Sequence, residues 1–432
     1  MQSRVRVKAA IGLCALVVGA CAPSAPSDTD GIAVGAILPF TGNEAALGRN
    51  LEQALLLAVQ DVNDAGGVGG QKLHLVTRDS NSGSDRGLEQ LLELIYEDRV
   101  QYLIGPEETE LANDIVPDVK GLDVLDILPG YAAPSIERAG GQGGWIRLAP
   151  STNALGCAMG KQVVAEGART VNALVTLDDY NTSLASDFTS HFGSLGGKSL
   201  PNVTAPQGDN SYAAEIKRAF SFGADLTLLM APPESASTIT TEWTVAGRQG
   251  AWYLSPLLHA DVFLENIPFG TLNGTLGLSP SASLPSECAP SETDQLTCIH
   301  ANASEFSSHF AAYWQGDRPF PEASFYYDAL VLLALGLSKG VSEEGKLPTT
   351  HELQTDIREL GNANADPVRW NDLRGPLTEI RLGSDVRYVG AAAEYDFDVY
   401  GAAQHTVFDT WTIANDGFVE NGTFRAVCPQ TF

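Results

Sequence analysis

The alternation of apolar patterns along this 432-residue chain predicts an α/β fold with mostly parallel, doubly wound sheets. Three observations predict it. Strand and helix patterns alternate near the start of the chain, the same alternation resumes further along, and the first helix pattern stops at a glycine pair, Gly66-Gly67. About 400 residues are too many for one compact core, so we expect two lobes or domains.

The first unit begins with a short apolar run and then leucines and valines spaced three or four residues apart. A run of that kind predicts a buried strand, and the spacing predicts an amphipathic helix. The expected elements, in order, are strand 32–39, helix 47–62, strand 72–77, helix 88–95 and strand 100–104. Because strands separated by helices pair in parallel, this order predicts a parallel sheet.

The second unit repeats the alternation, and the two units are joined near residues 147–151. Its expected elements are strand 171–177, helix 183–195, helix 212–222, strand 226–230 and helix 237–248. Later patterns predict a Ser/Pro-rich surface insertion at 279–297, a buried helix at 324–337 and strands at 394–398 and 406–413. Ligands of such sheets bind beyond the carboxyl ends of the strands, so we expect a cleft between two lobes.

The N-terminus has the order of a secretory signal, since Arg4, Arg6 and Lys8 precede an apolar run that is too short to span a bilayer. The string Val18-Gly19-Ala20-Cys21 is similar to a bacterial lipobox, in which the cysteine is acylated and the chain is cut just before it. We therefore expect residues 1–20 to be a lipoprotein signal peptide. The alternative is a cleaved signal with an incidental cysteine.

Residues 21–30 are rich in Pro, Ser and Asp and are predicted to be a flexible linker behind the lipid on Cys21. We expect an extracytoplasmic protein anchored to a bacterial membrane through its N-terminal lipid. Ala22 stands where an aspartate would favour retention in the inner membrane, so the outer membrane is the expected anchor in a bacterium with two membranes.

The charge of the chain excludes one large class of partners. Removal of the signal lowers the basic count from 26 to 23 against 53 acidic residues, which leaves a net charge of about −30. Such a field repels phosphate backbones, and we therefore expect no nucleic-acid partner.

Four cysteines remain once Cys14 is lost with the signal and Cys21 is acylated, and four allow three disulfide pairings. We favour Cys288 with Cys298, because they bracket the Ser/Pro-rich stretch, and this leaves Cys157 with Cys428. Zinc binding is the alternative. It is disfavoured because no cysteine pair has the close spacing of a zinc site, so no metal and no cofactor is expected.

Short strings spread over residues 31–425 resemble the type 1 periplasmic binding proteins, and among them the receptors of branched-chain amino-acid ABC transporters. The strings, in order, are Gly35-Ala-Ile-Leu-Pro-Phe-Thr-Gly42, Leu57-Ala-Val-Gln-Asp-Val-Asn63, Asp79-Ser80, Ile104-Gly105-Pro106, Leu128-Pro129-Gly130, Arg147-Leu-Ala-Pro-Ser151, Tyr327-Asp328-Ala329, Tyr388-Val-Gly-Ala391 and Asp396-Phe-Asp398. Each string is weakly specific alone, but their order and spacing together are specific.

The resemblance implies two lobes joined by three hinge crossings, each lobe a mostly parallel, doubly wound sheet built from non-adjacent chain. Lobe 1 would comprise residues 31–148 and 278–391, with an insertion at 279–300, and lobe 2 residues 149–277 and 392–432. The crossings are then expected near 147–151, 276–279 and 390–394. A solute would bind between the lobes and be presented to an ABC permease after closure. No bond would be broken, so the resemblance implies no enzymatic activity.

The resemblance also implies a ligand site. Thr109 would hold a solute carboxylate at a helix start, the loop Gly130-Tyr131-Ala132 would grip it through backbone groups, and Tyr180 would close over it from lobe 2. The alternatives are that Thr109 caps its own helix and that Tyr180 packs on the lobe surface.

Two features depart from the family's amino-acid clamp. Leu257 stands where the family has an acidic partner for the ammonium group, and Ala132 stands where it has a hydroxyl. Glu107 and Glu108 precede Thr109, and acids there are usually favoured by the helix dipole, but in the cleft they would repel a carboxylate. The expected partner is therefore a small organic solute other than an ordinary branched-chain amino acid.

Three other functions compete with amino-acid-type uptake. Catalysis is disfavoured because the chain lacks the common hydrolase, metalloprotease and phosphate-binding motifs. A ligand-sensing receptor or adaptor of the same fold is the main alternative, and a structural lipoprotein with a degenerate cleft is a further one.

Overall fold

The structure of the protein, a computed structural model, describes residues 31–42, 44–119, 122–130, 144–281, 288–290, 295–298, 301–362, 364–398, 401–404 and 407–427. The predicted signal peptide and linker, with Cys21 and Ala22, lie outside the described residues, as do Tyr131, Ala132 and Cys428.

The strands of the described residues are β1 (Ile32–Leu38), β2 (Leu73–Asp79), β3 (Tyr102–Ile104), β4 (Leu125–Leu128), β5 (Trp145–Arg147), β6 (Thr170–Thr176), β7 (Lys198–Ser199), β8 (Val203–Ala205), β9 (Leu226–Met230), β10 (Trp252–Leu254), β11 (Leu276–Pro280), β12 (Cys288–Pro290), β13 (Gln295–Cys298), β14 (Pro367–Arg369), β15 (Arg387–Val389), β16 (Val407–Ala414) and β17 (Gly417–Arg425).

The α-helices are α1 (Ala45–Asp64), α2 (Ser84–Tyr96), α3 (Thr109–Val119), α4 (Thr152–Ala165), α5 (Asp179–Ser194), α6 (Ala213–Ser221), α7 (Pro233–Val245), α8 (Asp261–Glu265), α9 (Ala301–Tyr313), α10 (Ala323–Glu344), α11 (Thr350–Asn362) and α12 (Arg374–Arg381), and a 3₁₀ turn spans Pro256–Leu258.

Lobe 1 is built on a five-stranded parallel sheet with the order β2-β1-β3-β4-β5. Helices cover both faces of this sheet, and apolar residues of its strands therefore point to both sides. Val34, Ala36 and Leu38 pack with α1 and α10 in the main core, whereas Ile37 packs with residues of α2 and α3. The predicted parallel, doubly wound arrangement is therefore confirmed for this lobe.

Lobe 2 has a larger mixed sheet. Strands β7, β6, β9, β10 and β11 run parallel, with β8 also paired to β6. Beyond β11 the pairing becomes antiparallel through β16, β17, β13 and β12. The two-lobed, mostly parallel prediction is confirmed, with an antiparallel extension at one edge that the sequence did not predict.

The chain passes from the first core to the second between Leu148, which packs with lobe 1, and Ala149, which packs with lobe 2. The two later crossings differ from their predicted positions. Strands β11 to β13 all belong to the lobe 2 sheet, so the described residues 278–281, 288–290 and 295–298 are not part of lobe 1, and the second crossing follows Cys298. The Ser/Pro-rich stretch is thus partly a sheet edge, not simply a surface insertion.

The third crossing also comes later than predicted. Phe397 and Ala403 pack in the lobe 1 core, and Ala402 forms a parallel bridge with Arg147 at the edge of the lobe 1 sheet. The chain therefore enters lobe 2 only after Gln404, before β16 begins. The described residues 392–398 and 401–404, assigned to lobe 2 from the sequence, belong to lobe 1.

Three predicted elements need correction. Residues 394–398 form only isolated bridges, and their alternating pattern arises because Tyr395 and Phe397 stack together in the core. Helix α5 begins at Asp179 instead of 183, because the Asp178 side chain caps it by accepting from the Asn181 N–H at 2.7 Å. Helix α7 begins at Pro233 instead of 237, since proline is well suited to the first helical position.

The cysteine pairing is only partly visible. Cys157 is buried in α4 and is disulfide-bonded, and its predicted partner Cys428 lies outside the described residues. The backbones of Cys288 and Cys298 are directly opposite each other in the β12–β13 ladder. Both pairings stay predictions. Among the described residues, no helix combines the length and apolar character needed to cross a membrane.

Candidate functional site

A cavity of about 400 Å³ lies between the two lobes, at the carboxyl ends of their parallel strands. Lobe 1 contributes the start of α1, the loops after β2 and β3 and the residues before α10. Lobe 2 contributes the starts of α5, α7 and α8 and the 3₁₀ turn. The volume falls in the range of small-molecule sites, and the position is where doubly wound folds bind ligands.

Four of the predicted site residues line this cavity: Glu108, Thr109, Tyr180 and Leu257. Thr109 is the first residue of α3 and is buried, and Tyr180 is buried in the first turn of α5. Their roles in binding stay predictions. Gly130 lies just beyond β4 and is in contact with a cavity residue, while the rest of its loop is outside the described residues.

That contact is made by Glu107, whose side chain fills the space beside Gly130. A Cβ atom added to Gly130 would lie 2.6 Å from Oε2 of Glu107. The same oxygen accepts a hydrogen bond from the Tyr326 hydroxyl at 2.9 Å. Burial raises the pKa of Glu107 well above its ordinary value, and the charges of Glu322 and Glu44 raise it further. A carboxyl group thus stands against the loop that, by the resemblance, would hold a solute carboxylate.

Glu108 is the second carboxyl group of this loop. Its Oε1 accepts a hydrogen bond from the Ser80 hydroxyl, and its Oε2 is buried without a hydrogen-bond partner among the residues that the structure describes. Burial raises the pKa of Glu108, although the Ser80 hydrogen bond opposes that shift. Glu107 and Glu108 both line the cavity, so they face the space that a solute would occupy, and a role for either in binding stays a prediction.

Sequence reasoning missed Glu44, which occupies the N-cap position of α1 without capping the helix through its side chain. Its Oε2 is buried, and no described residue forms a hydrogen bond with it. Burial raises the pKa of Glu44 to about 8, and the charges of Glu108, Glu110, Glu234 and Asp178 add to the shift. The signal that could have found it is the recurrence of an acid at the starts of α1, α3, α5 and α7, each of which follows a parallel strand of one of the two sheets.

The lobes are hydrogen-bonded to each other at the rim of the cavity. The Asp179 backbone N–H donates to Oε1 of Glu110 at 2.7 Å, and Nδ2 of Asn113 donates to Oδ2 of Asp179 at 2.7 Å. Glu110 and Asn113 belong to α3 of lobe 1, and Asp179 begins α5 of lobe 2. The N-terminal parts of α3 and α5, which belong to opposite lobes, are therefore joined by hydrogen bonds.

Solved structures of the same fold include a leucine-binding protein and a solute-binding protein of an ABC transporter. The chain superposes on a leucine-binding protein from Thermotoga maritima with a TM-score of 0.72 at 19% identity, covering 91% of this chain and 99% of that one. A solute-binding protein of an ABC transporter from R. palustris, in complex with benzoate, gives 0.71 at 17% identity, covering 93% and 98%. At these identities the likeness shows the fold alone.

Curated relatives are distant. An amino acid binding protein of Pseudomonas aeruginosa is 22% identical over 50% of this chain and 58% of its own length, so the chain matches little more than half of that relative. A chemotactic signal transduction substrate-binding protein, BasB of Halobacterium salinarum, is 22% identical over 84% of this chain and 83% of its own length.

The family itself is established by a longer match. Residues 31–378 match the family described as periplasmic binding protein, which is most of the chain and includes both lobes and the cavity. The family predicted from the sequence is thereby confirmed, and with it the two-lobed fold. This chain belongs to the periplasmic binding protein family.

Proposed function

We propose that this protein is the extracytoplasmic solute receptor of an ABC-type uptake system and binds one small organic solute between its lobes. The observation that carries the proposal is the cavity itself, lined by helix starts from both lobes and bordered by the Asp179–Glu110 hydrogen bond. A solute that contacts both walls stabilises the closed arrangement, because it binds that state better than the open one.

The solute is not an ordinary branched-chain amino acid. Leu257 offers no acceptor for an ammonium group at the family's usual place, and at the other end Glu107 and Glu108 would repel a carboxylate whenever either of them is ionised. Calorimetric titration of the mature protein with leucine, isoleucine and valine is expected to show no binding at micromolar concentration. Micromolar affinity for any of the three would contradict the proposal.

Attachment through a lipid on Cys21 is part of the proposal, since a receptor that serves a permease has to stay near the membrane. Replacement of Cys21 with serine should release the protein into the soluble fraction, and labelled palmitate should be incorporated only into the wild type. If the wild type and the serine variant are found in the soluble fraction to the same extent, Cys21 does not anchor the protein.

Ligand sensing is a second candidate function, favoured by the likeness to BasB, which covers most of both chains. The same cavity and hinge would serve it, with a signal transducer in place of the permease. A strain that lacks the gene for this protein distinguishes transport from sensing. Loss of solute uptake favours transport, whereas normal uptake with a lost behavioural or transcriptional response favours sensing.

A further inference from the structure

We infer that the solute of this cavity is an organic cation with an apolar body and no free carboxylate. The inference rests on the proposed function and specifies its substrate class. Seven acidic residues line the cavity, and among the described residues no Lys, Arg or His lines it. The acidic residues are Glu44, Glu107, Glu108, Glu110, Asp178, Glu234 and Glu322.

Helix stabilisation does not account for this set. Acids near helix N-termini are favoured by the dipole and often cap the exposed N–H groups. Asp178 does cap α5, but Glu44 and Glu322, each at an N-cap position, make no capping hydrogen bond. Among the described residues, helix capping therefore does not explain why these two carboxyl groups stand at the cavity.

Unpaired acceptors on both walls show what the occupant has to supply. Oε2 of Glu44 and Oε2 of Glu108 on lobe 1, and Oδ1 of Asn181 on lobe 2, are buried and have no hydrogen-bond partner within the part of the chain that the structure describes. A buried polar atom without a partner is unfavourable, because it has lost its hydrogen bonds to water without replacing them. An ammonium or other N–H-bearing cation satisfies such atoms and also compensates the negative charge around them.

The apolar part of the wall defines the rest of the solute. Leu47, Leu257, Val262 and Phe320 line the same cavity, and the Tyr180 ring lies among them in the lining. Apolar and aromatic side chains bind hydrocarbon and can also attract a cationic head over a ring face. A primary amine with an aliphatic or aromatic body matches both parts of the wall.

A metal ion fits the site less well. Among the described residues, no three His, Cys, Asp or Glu side chains are arranged to hold one metal ion. The carboxyl groups come from the starts of five helices on two lobes and are distributed around the cavity instead of converging on one point. A distributed negative wall suits an extended organic cation.

Binding of such a cation is coupled to proton release. Burial raises the pKa of Glu44 to about 8, and the charges of Glu108 before α3, Glu110 in α3, Glu234 in α7 and Asp178 before α5 raise it further, so it is mostly protonated at neutral pH. A cation favours the ionised form and displaces the proton. For one proton released, affinity rises by up to about tenfold per pH unit until the pH reaches that pKa.

The test compares three probes that share one hydrocarbon skeleton: isoamylamine, leucine and isocaproate, which carry an ammonium group, both charged groups and a carboxylate. Phenethylamine, phenylalanine and phenylpropionate form a matched aromatic series. Calorimetry on the mature protein should show binding of an amine about tenfold or more tighter than its amino acid, no binding of the acids, and affinity that rises from pH 6 to pH 8.

Equal or tighter binding of an amino acid or an acid would overturn the inference. A wider panel of neutral amides, anions and metal salts tests separately whether the protein binds a solute at all and whether that solute is an organic cation. If one of these binds and no amine does, the cation class is wrong while solute binding stands. If no compound of any charge binds, the proposed function fails as well.

Variants locate the effect in the cavity. Glu44→Gln should weaken the tightest amine about tenfold and flatten the pH dependence, and Glu234→Gln, on the opposite lobe, should weaken it in the same direction. Glu379→Gln removes the same charge from an exposed position of α12 outside the cavity and should leave affinity unchanged. Unchanged affinity in both cavity variants, or an equal loss in Glu379→Gln, would place the effect in the overall field of the protein.

Discussion

The backbone N–H of Asp179 donates a hydrogen bond to Oε1 of Glu110 at 2.7 Å, and this bond crosses from lobe 2 to lobe 1 at the rim of the cavity. It places a negative side chain at the positive end of helix α5, which is a favourable arrangement. Because it exists only when the lobes are close, it stabilises the closed arrangement specifically.

We therefore expect Glu110→Ala to shift the protein toward an open form. The radius of gyration from small-angle X-ray scattering should increase in the ligand-free protein, and solute affinity should fall about threefold or more. Glu110→Gln is the matched control, because it keeps an oxygen acceptor and loses only the charge, so its radius should stay near the wild-type value. Identical radii for the alanine variant and the wild type would contradict this role.

Tyr180 provides a test of the lobe 2 wall. It is buried in the first turn of α5 and lines the cavity. Tyr180→Ala should weaken the bound solute by more than about 1 kcal/mol in calorimetry, as loss of a packed aromatic anchor does. Tyr180→Phe keeps the ring and separates packing from the hydroxyl. An unchanged affinity in the alanine variant would assign Tyr180 to packing within its lobe.

The stability of the ligand-free protein should decrease as pH rises from about 5 to about 8. Burial raises the pKa of Glu44 to about 8 and that of Glu322 to about 6, from an ordinary value of 4.5. Between the ordinary pKa of 4.5 and these raised pKa values, the folded protein retains protons that the unfolded chain has released. A higher pH therefore favours unfolding over this range.

Thermal denaturation at constant ionic strength measures this dependence. Asp79 and Asp225, whose pKa values are lowered by hydrogen bonds, act in the opposite direction but only below about pH 4. Glu44→Gln should reduce the slope between pH 6 and pH 8. A melting temperature that increases steadily from pH 5 to pH 8 would show that the cavity carboxyls do not have raised pKa values.

Asp328 holds the segment between β15 and the last crossing. Its carboxylate accepts hydrogen bonds from the hydroxyls of Tyr388 and Tyr395, both at 2.7 Å, and from the backbone N–H groups of Ala391 and Ala392 at 2.7 and 2.8 Å. Asp328→Ala leaves four buried donors without this acceptor and should lower the free energy of unfolding by roughly 3 kcal/mol or more, measured by urea denaturation.

Asp328→Asn serves as the comparison for that variant. An amide oxygen can still accept from two of the four donors, while its NH₂ group faces the others, so the loss should be intermediate or similar. A change below about 0.5 kcal/mol in the alanine variant would mean that water replaces the carboxylate at this position.

Local sequence patterns predicted the helices and strands whose apolar residues directly reflect which of their faces are buried. The run that became β1 and the three-to-four spacing that became α1 are set by which faces are covered, and both were predicted to within a few residues at their ends. Capping and turn chemistry shifted the starts of α5 and α7 by four residues. The strand predicted at residues 394–398 was wrong. Alternation of apolar and polar residues indicates that one face is buried, but it does not show that a neighbouring strand is there to pair with.

The sequence by itself determined the family, the tandem α/β lobes and the presence of Thr109 and Tyr180 at the cavity. Only the tertiary structure decided where the second and third crossings fall and that Glu44, Glu234 and Glu322 face one space. These acids are far apart in the chain, and each alone is an ordinary helix-start residue. Their shared burial between two sheets turns separate local preferences into one negatively charged cavity, and that depends on long-range strand pairing that no local pattern encodes.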